Sequence, residues 1–224
     1  MSRHLTLFDL DGTLIPTDSD HAFGDFLVRV GWVDDREFKR RNDEFYAQYL
    51  AGSLDIHAYI EFATSSWRTR HPDEAVAMRE RFMCEAMVPL LLPQAQALVR
   101  RHQEAGDLVA IVTATNEFVT RPIADAFGVH ELIAVELQRD AQGRVTGRIH
   151  GVPTFQEGKI HRVNDWLQQR EHRWDQFDRI TFYSDSTNDL PLLEKVSHPV
   201  ATNPSPALEK IARERGWPIL KLFE

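Results

Sequence analysis

Apolar residues fall into two rhythms along this chain. Short apolar runs bounded by polar or Gly-containing turns alternate with longer stretches in which apolar residues recur every third or fourth position. The first rhythm predicts buried strands over residues 4–9, 107–113, 133–137, 180–183 and 199–201, with an edge strand over 219–223. The second predicts helices between them. Residues 94–105 place Ala95, Leu98, Val99 and His102 on one face, and Gly106 suits the C-terminal stop. Residues 206–215 have Ser205 as N-cap, Pro206 in the first helical position and Gly216 beyond the end. Pro122 either starts or kinks the helix after the second strand. This alternation predicts an α/β fold: a Rossmann-like parallel sheet covered by helices on both faces.

From Pro16 to Pro89 the pattern changes. No convincing strand appears, and helical stretches carry many aromatics, among them Phe23, Trp32, Phe45, Tyr49, Tyr59 and Phe82. Asp34 and Asp55 are plausible helix starts. Residues 16–89 therefore read as an all-helical cap inserted into a core made of residues 1–15 and 90–224, its aromatics mostly packing its own interior. Placed directly after the first strand, such a cap overhangs that strand's end as a substrate lid. Residues 136–151 read as a small hairpin turning at Gly143.

Composition narrows the class. A hydrophobic content of 42% and charged content of 27% are those of a globular protein, and no run approaches a membrane span. The net charge of −8 argues against nucleic acid or an anionic membrane as partner. Cys84 is the only cysteine, so no internal disulfide forms, which fits a reducing compartment. Asp9 and Asp11 interrupt the one early apolar run, so no signal peptide is expected and a cytoplasmic location is. Oligomeric state leaves no trace in the pattern.

Candidate chemistry sits at the strand ends. Asp9 and Asp11 follow the first apolar run, with Gly12 permitting a sharp turn. Two carboxylates at the carboxyl edge of a parallel sheet suit a divalent cation such as Mg2+, although Asp-Gly is also an ordinary turn. The second strand runs into Thr113-Ala114-Thr115, whose hydroxyls and N–H groups suit an anion or simply cap the next helix. Lys159 opens a helix, where its charge opposes the macrodipole; a phosphate to be reached would explain it, as would plain solvation. The fourth strand runs into Asp185-Ser186-Thr187-Asn188-Asp189, either a ligand cluster or an N-cap with a first-turn acid. All four features at one sheet edge are harder to dismiss than any one.

Together these segments resemble the signature of the haloacid dehalogenase-like hydrolase superfamily. Asp9, Asp11 and Thr13 match its first motif, Thr113 its second, Lys159 its third, and Asp185 to Asp189 its acidic fourth. The long helical insert resembles the phosphoserine-phosphatase-like branch, and within it the histidinol-phosphatase type. Ser184 departs from the Gly that relatives often carry before the acid. The resemblance implies a phosphatase, with Asp9 as nucleophile forming an aspartyl-phosphate and Asp11 as general acid/base. It implies Mg2+ held by Asp9, Asp11 (through its carbonyl) and Asp185. Thr113, Ala114, Lys159 and Asn188 would hold the phosphate, with Asp189 supporting Lys159. The implied partner is a small phosphomonoester.

Specificity is expected in the cap. Asp18 and Asp20 suit an ammonium group, as in histidinol phosphate or phosphoserine, unless one of them caps the first cap helix. Arg41, Asn42 and Tyr46 are further candidates on the second cap helix; phosphoserine would call on a cation such as Arg41 for its carboxylate. A phosphotransferase or mutase using the same aspartyl-phosphate, and a non-catalytic phosphate-binding protein, are the competing readings.

Overall fold

The computed structural model describes residues 3–223. Six strands form one parallel sheet in the order β3-β2-β1-β6-β7-β8, with β1 at His4–Phe8, β2 at Leu108–Asn116, β3 at Leu132–Val135, β6 at Arg179–Ser184, β7 at His198–Thr202 and β8 at Ile219–Leu220. Each agrees with an expected run to within a few residues. The exception is β2, which continues through the Thr113-Ala114-Thr115 segment to Asn116. A short hairpin, β4 (Leu137–Arg139) against β5 (Val145–Ile149), turns with Gly143 at φ 79°.

Both sheet faces are covered, and the alternation along β1 shows how. Leu5 and Leu7 point into a cluster completed by Val163, Leu167, Leu193 and Leu208, from α7 (Glu157–Gln169), α8 (Leu190–Lys195) and α9 (Pro206–Arg215). Phe8 points the other way, among residues of α5 (Pro93–Glu104), α6 (Glu117–Ala126) and the helices that follow β1. Those helices are α1 (Ser19–Arg29), α2 (Asp35–Leu50), α3 (Ile56–Ser65) and α4 (Pro72–Phe82), all lying between β1 and β2 in sequence. Their aromatics do pack inward: Phe23 and Phe26 meet Phe82, and Phe45 meets Phe62 and Tyr59.

Local signals explain the ends. The side chain of Asp55 accepts from two N–H groups at the start of α3, and Ser205 accepts from the Leu208 N–H. Pro122 does not start α6; it lies inside it, and Asn116 is the cap, accepting from the Phe118 and Val119 N–H groups. Lacking an N–H, Pro122 frees the Phe118 carbonyl, to which Arg79 Nη1 donates at 3.4 Å. Among the described residues no single helix is long and apolar enough to cross a membrane.

The chain order reverses between β1 and β6, whose outgoing connections diverge. The carboxyl ends of these two neighbouring strands therefore flank a crevice, the usual place for a site in an open parallel sheet.

Candidate active site

Asp9 and Asp11 leave the end of β1 on either side of the buried Leu10. Gly12 then turns at φ 74°, and a Cβ there would overlap the Asp185 carboxylate, so only glycine lets the loops after β1 and β6 approach this closely. Asn203 braces the turn by donating to the Gly12 and Thr13 carbonyls.

Each carboxylate has distinct partners. Asp9 Oδ1 accepts from Lys159 Nζ at 2.8 Å, while Oδ2 lies 3.4 Å from the Thr13 hydroxyl. Lys159 reaches in from the first turn of α7, is 1% exposed, and also pairs with Asp189 at 2.7 Å. Its unfavourable place near a helix N-terminus is thus offset by two buried carboxylates. Asp11 turns away from this pair. Its Oδ1 accepts from the Ser19 N–H at 2.7 Å, and its Oδ2 from the hydroxyls of Thr115 (2.9 Å) and Thr113 (3.2 Å). Thr113 and Thr115 serve one carboxylate because residues two apart in a strand share a face. Neither caps α6.

Asp185 is tied to Asp9 through Thr13, whose hydroxyl also lies 3.2 Å from Asp185 Oδ1. Burial raises the Asp185 carboxyl well above the usual range, with the Asp9 and Asp189 charges adding to it. Burial likewise pushes Asp9 up to about 7, against the opposing pull of Lys159. Two buried carboxylates beside one already shared cation form a donor set suited to a divalent, oxygen-preferring ion. Ser184 fits where a glycine is usual: its hydroxyl donates to Asp189 at 2.7 Å, helping to hold the Lys159 partner.

Over Asp9 and Asp11 lies a cavity of about 20 Å3, room for roughly one water. Its roof is Phe45, Tyr46 and Tyr49 from α2 and Tyr59 from α3, and its rim includes Asp18 and His21. His21 stacks on Tyr46 at 4.5 Å and pairs through Nε2 with Asp43 at 2.9 Å. Among the described residues no lysine or arginine lines this cavity.

Several expected residues are placed otherwise. Arg41 is exposed, its guanidinium lying over Phe62 at 4.9 Å, outside the cavity. Asn42 is buried between α1 and α2, donating to the His21 carbonyl over Gly24, and is a packing residue. Asn188 donates to the Tyr49 carbonyl at 2.9 Å, so its amide ties the loop after β6 to α2 instead of facing the cavity. Thr113 and Ala114 do line the cavity, with the Thr113 hydroxyl given to Asp11. Asp18 lines the cavity and is also the N-cap of α1, accepting from the His21 N–H, with its carboxyl raised well above the usual range by burial and by Asp11.

Asp20 sits behind the cavity. Both of its oxygens accept from Asn116 Nδ2 at 3.1 Å, and Tyr59 hydrogen-bonds it. Burial pushes its carboxyl up to about 7. A carboxyl with a raised folded-state pKa stabilises the fold most below its unfolded pKa, and that contribution is lost as pH rises to about 7. Asp20→Asn is therefore expected to raise the melting temperature at pH 8, by the equivalent of a few kcal/mol at most, and to leave it unchanged near pH 4. Thermal denaturation at both pH values reads this; an equal shift at both would contradict it.

Sequence reasoning did not single out Asn116, Ser19 or His21, and it placed Tyr49 and Tyr59 among the aromatics packing the cap interior. The strand periodicity carried a signal for Thr115, but the Asn116–Asp20 pairing joins residues 96 positions apart and left none.

A family model for haloacid dehalogenase-like hydrolases matches residues 6–194. Over 218 residues the chain is 43% identical to the histidinol-phosphatase of Neisseria meningitidis, covering 97% of this chain and 98% of that protein. Among solved structures, a protein of unknown function from Bordetella pertussis superposes with a TM-score of 0.94 at 49% identity, covering 100% of both chains. A substrate-bound phosphoserine phosphatase superposes with a TM-score of 0.68, covering 98% of this chain and 93% of that one; at 15% identity this is a likeness of fold.

Proposed function

The chain belongs to the haloacid dehalogenase-like hydrolases, and from that premise we propose that it is a Mg2+-dependent phosphomonoesterase working through an aspartyl-phosphate on Asp9. The observation that carries this reading is the Asp9 carboxylate at the cavity floor, one oxygen fixed by buried Lys159 and Asp11 beside it. In the first step Asp9 attacks phosphorus and the ester P–O bond breaks. Asp11 gives its proton to the leaving alkoxide. In the second step Asp11 takes a proton from water, whose oxygen attacks phosphorus, releasing phosphate and restoring Asp9. Lys159 holds Asp9 in line and offsets charge on the phosphoryl oxygens. Ser19, Thr113 and Thr115 fix the aim of Asp11. Asp9, Asp185 and the Asp11 carbonyl would hold Mg2+, which supplies the positive charge that lets an anionic nucleophile approach an anionic phosphate. Helices α1–α4 act as the cap, and the small chamber beneath them excludes bulk water.

The substrate class follows from the lining. An aromatic roof with Asp18 at the rim favours an organic cation. The absence of lysine and arginine from that lining disfavours a carboxylate such as that of phosphoserine. An amino-alcohol phosphate of the histidinol phosphate kind is the best fit, in keeping with the Neisseria relative being a histidinol-phosphatase.

A substrate panel containing p-nitrophenyl phosphate, histidinol phosphate and phosphoserine tests the proposal. Asp18→Asn, which preserves the N-cap, is expected to lower kcat/KM for histidinol phosphate by about 10- to 100-fold (on the scale of one lost charged contact). Turnover of p-nitrophenyl phosphate should stay within a few fold. No turnover of any panel member with Mg2+ would remove the enzyme reading. Phosphoryl transfer to an added alcohol in preference to water would favour the phosphotransferase.

A further inference from the structure

A second cavity, of about 260 Å3, lies between the hairpin, α6 and the segment around α4. It shares no lining residue with the catalytic chamber. Its charged lining consists of Arg68, Arg70, Arg79, Arg139 and Arg144, with no acid among them, in a chain whose net charge is −8. Two of the five have a carboxylate partner: Arg139 meets Glu117 at 3.5 Å and Arg144 meets Asp140 at 2.9 Å. Among the described residues the other three have none within ion-pair distance. Arg68 donates to the Glu61 carbonyl and the Thr64 hydroxyl, and Arg70 to the Trp32 carbonyl.

Arg79 is the most telling. It lies over the Phe118 ring at 4.9 Å and makes one long contact to the carbonyl that Pro122 leaves free. Its buried Nε has no partner. Burial holds its guanidinium below the ordinary range, only partly offset by the Glu80 and Asp125 charges, neither of which is within ion-pair distance. Three of the five like charges around one cavity lack a carboxylate partner, and an unpaired half-buried guanidinium costs free energy. An oxyanion would relieve both, and the arginine fork suits phosphate or carboxylate in bidentate fashion. The cavity floor is apolar, formed by Pro72, Ala75, Val76 and Val145.

We propose that this cavity binds a small organic oxyanion, with an apolar body on the floor and two or more negative charges among the arginines. Its bounded volume and the chain's overall negative charge favour a small ligand over nucleic acid or an acidic protein, which the distributed charge repels. The Arg79–Phe118 contact lies on the first turn of α6, whose N-cap Asn116 grips Asp20 behind the chamber. An occupant is therefore well placed to affect catalysis, but the proposal concerns binding and stands apart from the catalytic reading.

The test is calorimetric titration of Asp9→Asn protein, in which turnover is removed, with ATP as the phosphoryl probe and citrate as the carboxylate probe. Saturable binding of at least one is expected, weakened at least about tenfold by R70Q/R144Q and weakened further as salt rises from about 50 to about 500 mM. Which probe binds more tightly distinguishes the head group. Arg70 and Arg144 are exposed, so their replacement should leave folding and p-nitrophenyl phosphate hydrolysis in the otherwise native chain unchanged. No binding of either probe below about 10 mM (a free energy weaker than about −3 kcal/mol) overturns the proposal. So does binding indifferent to R70Q/R144Q, or tighter binding of an oligonucleotide or oligoglutamate than of both small probes.

Discussion

Asp9→Asn is expected to reduce Mg2+-dependent phosphate release from p-nitrophenyl phosphate to background, a loss on the order of 10^4-fold or more, as for other covalent nucleophiles. The substitution is nearly isosteric and removes the attacking oxygen's charge. Lys159 keeps its 2.7 Å partner in Asp189, so the pocket retains an ion pair and the fold should survive. The melting temperature therefore serves as the control, and an Asp9→Asn protein that is folded and still turns over at more than about a tenth of the native rate would refute the assignment. The same variant should fail to take up an acid-stable phosphoryl group from substrate. This second reading separates a lost nucleophile from lost substrate binding.

Lys159→Met is expected to damage stability as well as catalysis. Lys159 is buried and contacts two carboxylates, those of Asp9 and Asp189. Removing it leaves Asp9 and Asp189 without their shared cation, and breaking a buried pair in this way costs about 3–5 kcal/mol. Protonation of the stranded carboxylates is the only local relief. The variant's deficit should therefore be larger at pH 8 than at pH 5, because at the higher pH the fold must either hold these charges or pay to protonate them. Lys159→Arg should not restore activity, since a planar fork does not fit a site shaped for a compact ammonium. Denaturation curves at the two pH values decide the matter: a deficit independent of pH would mean that lost packing outweighs lost charge.

Much of this site is legible in the sequence because its chemistry conflicts with local propensity. An apolar run ending in Asp9 and Asp11, and a lysine near a helix N-terminus, both demand partners from elsewhere, and the fold supplies them to each other. The sheet is legible for a related reason, since strands buried on both faces read as unbroken apolar runs. Orientation within α2 is not legible. Arg41, Asn42, Phe45, Tyr46 and Tyr49 lie within about two turns of helix, and only contacts with α1 and α3 decide that Tyr46 faces the chamber while Arg41 lies outside. The partner of Asn188 was hidden for another reason: it is a backbone carbonyl, that of Tyr49, which no side-chain pattern records.

The smallness of the chamber has a kinetic corollary. With room for about one water above Asp9, no phosphomonoester can be admitted or discharged while Tyr46, Tyr49 and Tyr59 keep these positions. Admission then calls for a shift of α2 and α3, and the ties such a shift strains include the bonds from the Asn188 amide to the Tyr49 carbonyl and from the Gln156 amide to the Gly52 carbonyl. Opening is thus a second determinant of throughput beside the reactivity of Asp9, and a substitution that loosens these ties acts on the first without touching the second.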